Sequence, residues 1–225
     1  MIHTVIFDIG GTLVKARSSL ISFSERLTQN RDNDLKEKLL AFLIKEFMLI
    51  YRDKNPAKFI GIKDIIAIIL KKAAEKFNVE DISGQAHQLY GQAYLNHANL
   101  FDDTIPTLKK LKKKNIKLIV ASDADPDVLN DELSTFEINQ YFDEMVISGV
   151  VGAYKPSDKM IDAILEKCEK PYSDILFVGD TEPDILSAKK IGAKSILIKR
   201  NGDFAIEADY HITNLDKIFE IIDNN

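Results

Sequence analysis

Residues 3–9, His-Thr-Val-Ile-Phe-Asp-Ile, form a nearly unbroken apolar, β-branched run that stops at Gly10-Gly11. A strand that is apolar on both sides has to be covered on both sides, which is the situation of strands in parallel sheets. The chain beyond residue 100 supplies the covering elements. Helical and strand patterns alternate there: a helix over 105–115 capped by Thr104, a strand over 116–122, a helix over 125–136 and a strand over 144–149. They continue with a helix over 157–170, a strand over 173–180, a helix over 182–193 closed by Gly192, a strand over 194–199, a short strand over 210–213 and a last helix to Ile222. Early prolines in the helices over 105–115 and 125–136 fit helix starts. Such alternation predicts an α/β core with a parallel sheet and right-handed crossovers.

Between residues 16 and 99 the texture differs. LKEKLLAFLIKEFMLIY (35–51) and IKDIIAIILKKAAEKF (62–77) repeat their apolar residues at helical spacing, with a loop between them marked by Asn, Pro and Gly. No strand signal is present in this block, and after Thr12 the chain is expected to turn helical. The expected organisation is a core made of 1–15 and 100–225, interrupted by a helical domain over 16–99. A chain of 225 residues suits one domain with such an insertion, and buries roughly 70–75% of its unfolded surface without staples.

Charge and composition narrow the partners. The 35 acidic and 30 basic residues give a net charge of -5, against a general nucleic-acid binder. The run Lys109 to Lys114, broken only by Leu111, reads as a solvated helix end, favoured there by the helix dipole. The single cysteine, Cys168, excludes an intramolecular disulfide and fits a reducing compartment. The N-terminus has no signal-peptide pattern, and no apolar run approaches the ~20 residues of a membrane span. The expectation is a cytoplasmic chain, monomer or homodimer, with no nucleic-acid or membrane partner.

In open α/β sheets, ligands sit beyond the carboxyl ends of the strands. The first strand ends in Asp8-Ile9-Gly10-Gly11-Thr12 and the second in Ser122-Asp123. The loop after the third carries Lys155-Pro156, and the fourth ends in Gly179-Asp180-Thr181-Glu182-Pro183-Asp184. Asp8, Ser122, Lys155, Asp180 and Asp184 therefore fall at one edge. Crowded carboxylates repel and raise one another's pKa unless a cation intervenes. A hard cation such as Mg²⁺ suits carboxylates, water and phosphate oxygens. Asp8 is the candidate nucleophile, Ser122 a hydroxyl donor and Lys155 a positive charge for a phosphoryl oxygen.

These positions, with FDIGGTLV (7–14), ASD (121–123), YKP (154–156), GDTEPDI (179–185) and FDDTIPTLKKLK (101–112), make the sequence resemble the haloacid dehalogenase (HAD) superfamily over its whole length. The resemblance implies a Rossmann-like parallel sheet with an inserted helical cap of the C1 type over 16–99. It implies a Mg²⁺-dependent phosphohydrolase of small phosphorylated metabolites in which Asp8 attacks phosphorus. Asp8, the Gly10 carbonyl, Asp180 and Asp184 would hold Mg²⁺. Gly11, Thr12, Ser122, Asp123 and Lys155 would bind the phosphoryl group.

Two positions depart from the family pattern. Its phosphatases carry a second aspartate two residues after the nucleophile, where this chain has Gly10. That aspartate protonates the leaving group, a service worth ~10²–10⁴-fold. Asp123 stands where asparagine is common, and with Asp125 and Asp127 it makes the second loop acidic. Alternatives follow from these departures: a haloacid-dehalogenase-like enzyme attacking carbon, a phosphonate-cleaving enzyme using Lys54 or Lys58 as a Schiff base, or a binding protein with a disabled site. An actin-like sugar kinase also opens with Asp-Ile-Gly-Gly-Thr, but it needs a second such domain. His87 and His97 are expected to be surface or packing residues, and Cys168 structural.

Overall fold

The computed structural model describes residues 1–16, 19–29, 32–53 and 59–224. In chain order the elements are β1 (Thr4–Phe7), β2 (Val14–Ala16), α1 (Ser19–Thr28), α2 (Asn33–Tyr51), α3 (Ile62–Phe77), α4 (Ala86–Leu95), β3 (Ala98–Leu100), α5 (Thr104–Lys113) and β4 (Lys117–Ser122). Then come α6 (Pro126–Thr135), β5 (Glu144–Ile147), α7 (Ser148–Val151), α8 (Asp158–Leu165), β6 (Ile175–Gly179), α9 (Glu182–Ile191), β7 (Lys194–Ile198), β8 (Tyr210–Ile212) and α10 (Ile218–Asp223). The chain divides into two compact units, Met1–Lys15 with Leu100–Asn225, and Ala16–Asn99.

The first unit is built on a six-stranded sheet in the order β5-β4-β1-β6-β7-β8, with every pairing parallel. The chain leaves β1 to lay down β4 and β5 on one side, then returns to build β6, β7 and β8 on the other. This reversal makes β1 the switch point, where the loops diverge and leave a crevice. β1 holds its register by pairing Phe7 with Val120 and with Val178. Ile6, Ile119, Ala121, Val146, Ile175 and Phe177 form a buried cluster with Met160, Ile161 and Ile164 of α8 and Ala188 and Ile191 of α9. Side chains alternate across a strand, so Val5, Phe7, Leu118, Val120, Leu176 and Val178 face the opposite way. They too are fully buried, which is why the strands read as continuous apolar runs.

Several boundaries differ from the sequence reading. β1 ends at Phe7, and Asp8 and Ile9 already belong to the turn that follows. Thr104 is the first residue of α5 rather than its cap, a place taken by Asp103. The Thr104 hydroxyl donates instead to Leu13 O at 2.7 Å. α8 stops at Leu165, so Cys168 lies beyond it, where burial pushes its thiol up to about 11. The lysine run is a partnered helix end: Lys112 pairs with Asp143 at 2.7 Å, Lys114 with Asp223 at 2.8 Å, and Lys110 lies 3.7 Å above the Phe219 ring.

The second unit is helical. α3 buries Ile62, Ile65, Ile66, Ile69, Leu70, Ala73 and Ala74, the i, i+3, i+4, i+7 stripe of an amphipathic helix. His87 Nε2 meets Asp64 Oδ1 at 2.8 Å with both side chains exposed. His97 is half-buried. Lys54 and Lys58 lie outside the described residues. The chain does not turn helical directly after Thr12: β2 and β3 form a two-stranded sheet where it leaves and re-enters the first unit. Three-residue strands are too short to show alternation, so they left no trace in the pattern. Among the described residues, no helix is long and apolar enough to cross a membrane.

Candidate active site

Asp8 stands immediately beyond β1, with its amide donating to Val178 O at 2.9 Å, and is 8% exposed. Lys155 reaches it from the loop after α7. The lysine Nζ donates to Asp8 Oδ1 at 2.7 Å, Asp184 Oδ1 at 2.6 Å and Ala121 O at 2.9 Å. An ammonium has three donors, so this one is saturated. Its main chain is fixed as well, the Lys155 amide donating to Asp123 Oδ1 at 3.0 Å. Asp123 thus shapes the lysine's loop. Ser122 closes β4 and is buried.

Asp184 is fully buried and does two jobs. Its Oδ1 takes the Lys155 bond, and its Oδ2 accepts from the Thr181 amide at 3.0 Å and the Thr181 hydroxyl at 2.6 Å. That closes the first turn of α9 as a capping box. Gly179 makes room for it: a Cβ there would lie 2.3 Å from the Asp184 Cβ. Asp184 thus holds Lys155 and closes the start of α9, and its Oδ1, with a single donor, keeps a lone pair toward the cluster.

The turn after Asp8 is closed by its own backbone. Gly11 N donates to Val14 O at 2.8 Å and Thr12 N to Ile9 O at 3.2 Å. Gly10 bridges to Val14. The Gly11 and Thr12 amides are therefore spent in shaping the turn. Gly11 sits at φ +81°, and a Cβ on it would lie 2.3 Å from Asp180 Oδ2. Only glycine combines that backbone with so close a carboxylate. Thr12 is fully buried.

Asp8, Asp180 and Asp184 each offer an oxygen within 4.8 Å of the others. Burial drives the Asp8 carboxyl well above its usual value. Lys155 opposes this, and the charges of Asp184 and Asp180 add to it. Burial would discharge Lys155, but Asp184 and Asp8 hold its ammonium above the usual lysine value. Asp180 is raised to about 6, by burial first and Asp184 second, with Lys199 pulling the other way. Three carboxylates against one ammonium leave two negative charges in excess when all are ionised. Asp180 Oδ1 is buried without a partner. A divalent cation fits this donor set, since it matches the excess charge and gives the orphaned oxygen a ligand.

The same numbers predict a pH effect on the metal-free protein. A carboxyl near 3.8 when unfolded and about 6 when folded holds its proton more tightly in the folded state. Its contribution to stability is complete below pH 4 and is lost as pH rises through 6, about 2–3 kcal/mol in all. Asp180→Asn should remove that loss. In chelator at pH 7.5 its Tm should exceed the wild-type Tm, while at pH 4 the two should agree. Equal Tm differences at both pH values would refute the assignment.

Sequence reading did not single out Lys199, Arg200 or Asp103. Lys199 follows β7 at the same sheet edge and acts on Asp180 through its charge. Arg200 donates to Thr12 O at 2.8 Å and pairs with Asp103. A charged pair straight after a strand, at the edge where the other loops converge, was the available signal.

The molecule is thus an α/β protein in which Asp8, Lys155, Asp180 and Asp184 meet at the switch point of a parallel sheet. The family model for haloacid dehalogenase-like hydrolases matches residues 5–198, and the chain belongs to that family. Phosphoglycolate phosphatase of Aquifex aeolicus (strain VF5) is 25% identical over 232 residues, covering 99% of this chain and 98% of the relative. The crystal structure of a HAD phosphatase from Thermococcus onnurineus is similar with a TM-score of 0.70 at 25% identity, covering 99% of this chain and 98% of that one. L-2-haloacid dehalogenase from Xanthobacter autotrophicus gives a TM-score of 0.74 at 16% identity, with 99% of each chain covered. At that identity the likeness is one of fold.

Proposed function

We propose that this hydrolase is a Mg²⁺-dependent phosphatase of small phosphorylated metabolites that works through a phosphorylated Asp8, with residues 16–99 as a C1-type helical cap. The observation that carries the reading is the excess charge at Asp8, Asp180 and Asp184 beside an orphaned Asp180 oxygen. Attack on carbon needs no divalent cation, so a set with charge and an open oxygen for one favours phosphorus. The phosphatases among the relatives support the same reaction class.

Asp8, Asp180 and the Gly10 carbonyl would hold the cation, with Asp184 behind them. When bound, it would supply positive charge to the phosphoryl oxygens and to the crowded carboxylates. Asp8 Oδ1 is tied to Lys155, which leaves Oδ2 to attack phosphorus. The P–O bond to the leaving group breaks as the Asp8–P bond forms, and water then displaces Asp8 at phosphorus. Lys155, protonated and immobile, orients the carboxylate and faces the phosphoryl charge, and Ser122 offers its hydroxyl to a phosphoryl oxygen. Gly10 supplies no proton, so the leaving group departs on its own acidity.

Phosphate release from p-nitrophenyl phosphate and acetyl phosphate, in Mg²⁺ and in chelator, tests the proposal. Release that stops in chelator and returns with Mg²⁺ is expected. Metal-independent release, or none from either compound, would overturn it. Halide release from a 2-haloacid without metal would move the attack to carbon.

A further inference from the structure

We propose that Arg200 is a positioning residue for the nucleophile turn, locked in place by Asp103. The inference rests on the phosphatase reading and adds a residue to it. Three segments far apart in sequence meet at this point. Arg200, just beyond β7, donates through Nη2 to Thr12 O at 2.8 Å and pairs through Nη1 with Asp103 Oδ2. Its guanidinium lies 3.9 Å above the Phe101 ring. Asp103 Oδ2 also accepts from the Leu215 amide at 2.8 Å, so the carboxylate that fixes Arg200 is itself fixed by the C-terminal segment. The next carbonyl in the turn, Leu13 O, receives the Thr104 hydroxyl at 2.7 Å and the Phe101 amide at 3.2 Å.

The turn from Ile9 to Val14 closes on itself through backbone bonds, but those bonds do not set its place relative to the sheet. The ties that do so at Thr12 and Leu13 come from Arg200, Thr104 and Phe101. The guanidinium is suited to this because its planar fork serves two acceptors at a fixed angle while its face stacks on an aromatic ring. A lysine could donate to Asp103 and Thr12 O, but as a point charge on a flexible stem it has neither the rigid fork nor a face to stack on Phe101. The Arg200 and Asp103 side chains keep only 22% and 14% of their exposure, so removing the guanidinium strands a mostly buried carboxylate and lowers stability as well. The turn joins Asp8 to Gly10 and Gly11, and a displacement of about 1 Å near reacting groups can cost ~10²-fold in rate. The latch therefore acts on rate as well as on stability, and kcat below the unfolding transition separates the two.

The test is steady-state hydrolysis of p-nitrophenyl phosphate in Mg²⁺ by wild type, Arg200→Met and Arg200→Lys, with thermal unfolding and amide hydrogen exchange on each. At a temperature well below its transition, Arg200→Met should lose about 10–100-fold in kcat while KM moves less than about threefold. Exchange at the Gly11 and Thr12 amides should accelerate, and that at β1 should not. Arg200→Lys should fold, keep a partner at Asp103 and recover part of kcat but not all. An active wild type with Arg200→Met within twofold in kcat would overturn the proposal, whatever happens to Tm. So would full activity in Arg200→Lys, because charge alone would then suffice. A wild type that releases no phosphate would remove the phosphatase reading instead, and the exchange data would still show whether the latch holds the turn.

Discussion

Replacing Gly10 with aspartate is expected to raise kcat on alkyl phosphates by about 10²–10⁴-fold, the range a positioned acid–base group supplies. The gain should depend on the leaving group. An alkoxide is a poor one and needs a proton as the P–O bond breaks. Nitrophenolate and acetate leave without that help, so p-nitrophenyl phosphate and acetyl phosphate should gain far less in the first step. Part of any gain on them reports the second step, in which the new carboxylate takes a proton from the attacking water. The backbone tolerates the change: Gly11 needs the left-handed region, at φ +81°, but Gly10 is not among the positive-φ residues. Initial rates on a series of phosphate esters of rising leaving-group pKa, for wild type and Gly10→Asp, decide the matter. The expected result is a steep dependence in wild type that flattens in the variant. Parallel slopes would mean that position 10 does not serve as the acid.

The sequence made the sheet and its edge legible because the relevant signals are local. A strand buried on both faces shows as a run such as Val5-Ile6-Phe7, and its end shows as the polar residues that follow. Parallel connection then places those ends together, so Asp8, Lys155, Asp180 and Asp184 could be grouped with no coordinates. The division of labour within the group was not legible. Spacing cannot tell that Lys155 spends one proton on each of Asp8, Asp184 and Ala121 O, or that Asp184 uses its second oxygen to cap α9. It also could not tell that the Gly11 and Thr12 amides serve their own turn. The Arg200–Asp103 pair joins positions 97 residues apart, and nothing in either local pattern marks the other. β2 and β3 escaped for the opposite reason: their three residues each are too few for a period of two to show.

Asp8→Asn should abolish phosphate release, by about 10³-fold or more, and should at the same time raise the stability of the metal-free protein. The first effect follows from chemistry, since an amide oxygen with no negative charge is a poor nucleophile. The second follows from the balance of charges. Removing one partner of a buried ion pair normally destabilises, because it strands the other charge. Here Lys155 would keep Asp184 and the Ala121 carbonyl, so the remaining pair would be neutral and hydrogen-bonded. The folded environment raises the pKa of Asp8, meaning that burial and the neighbouring carboxylates outweigh the attraction of the lysine. At neutral pH a group shifted this way weakens the folded state, and neutralising it restores what is lost. Thermal unfolding in chelator at pH 7.5 should therefore show a higher Tm for Asp8→Asn than for wild type. Titrating Mg²⁺ should narrow the gap by stabilising the wild type more. A lower Tm in chelator would mean that the Asp8–Lys155 bond outweighs the repulsion. The excess-charge argument for a divalent cation would then fail even if the activity were lost as expected. A higher Tm with lost activity would instead locate a cost in stability at the atom that does the chemistry, as expected where function sets the charge.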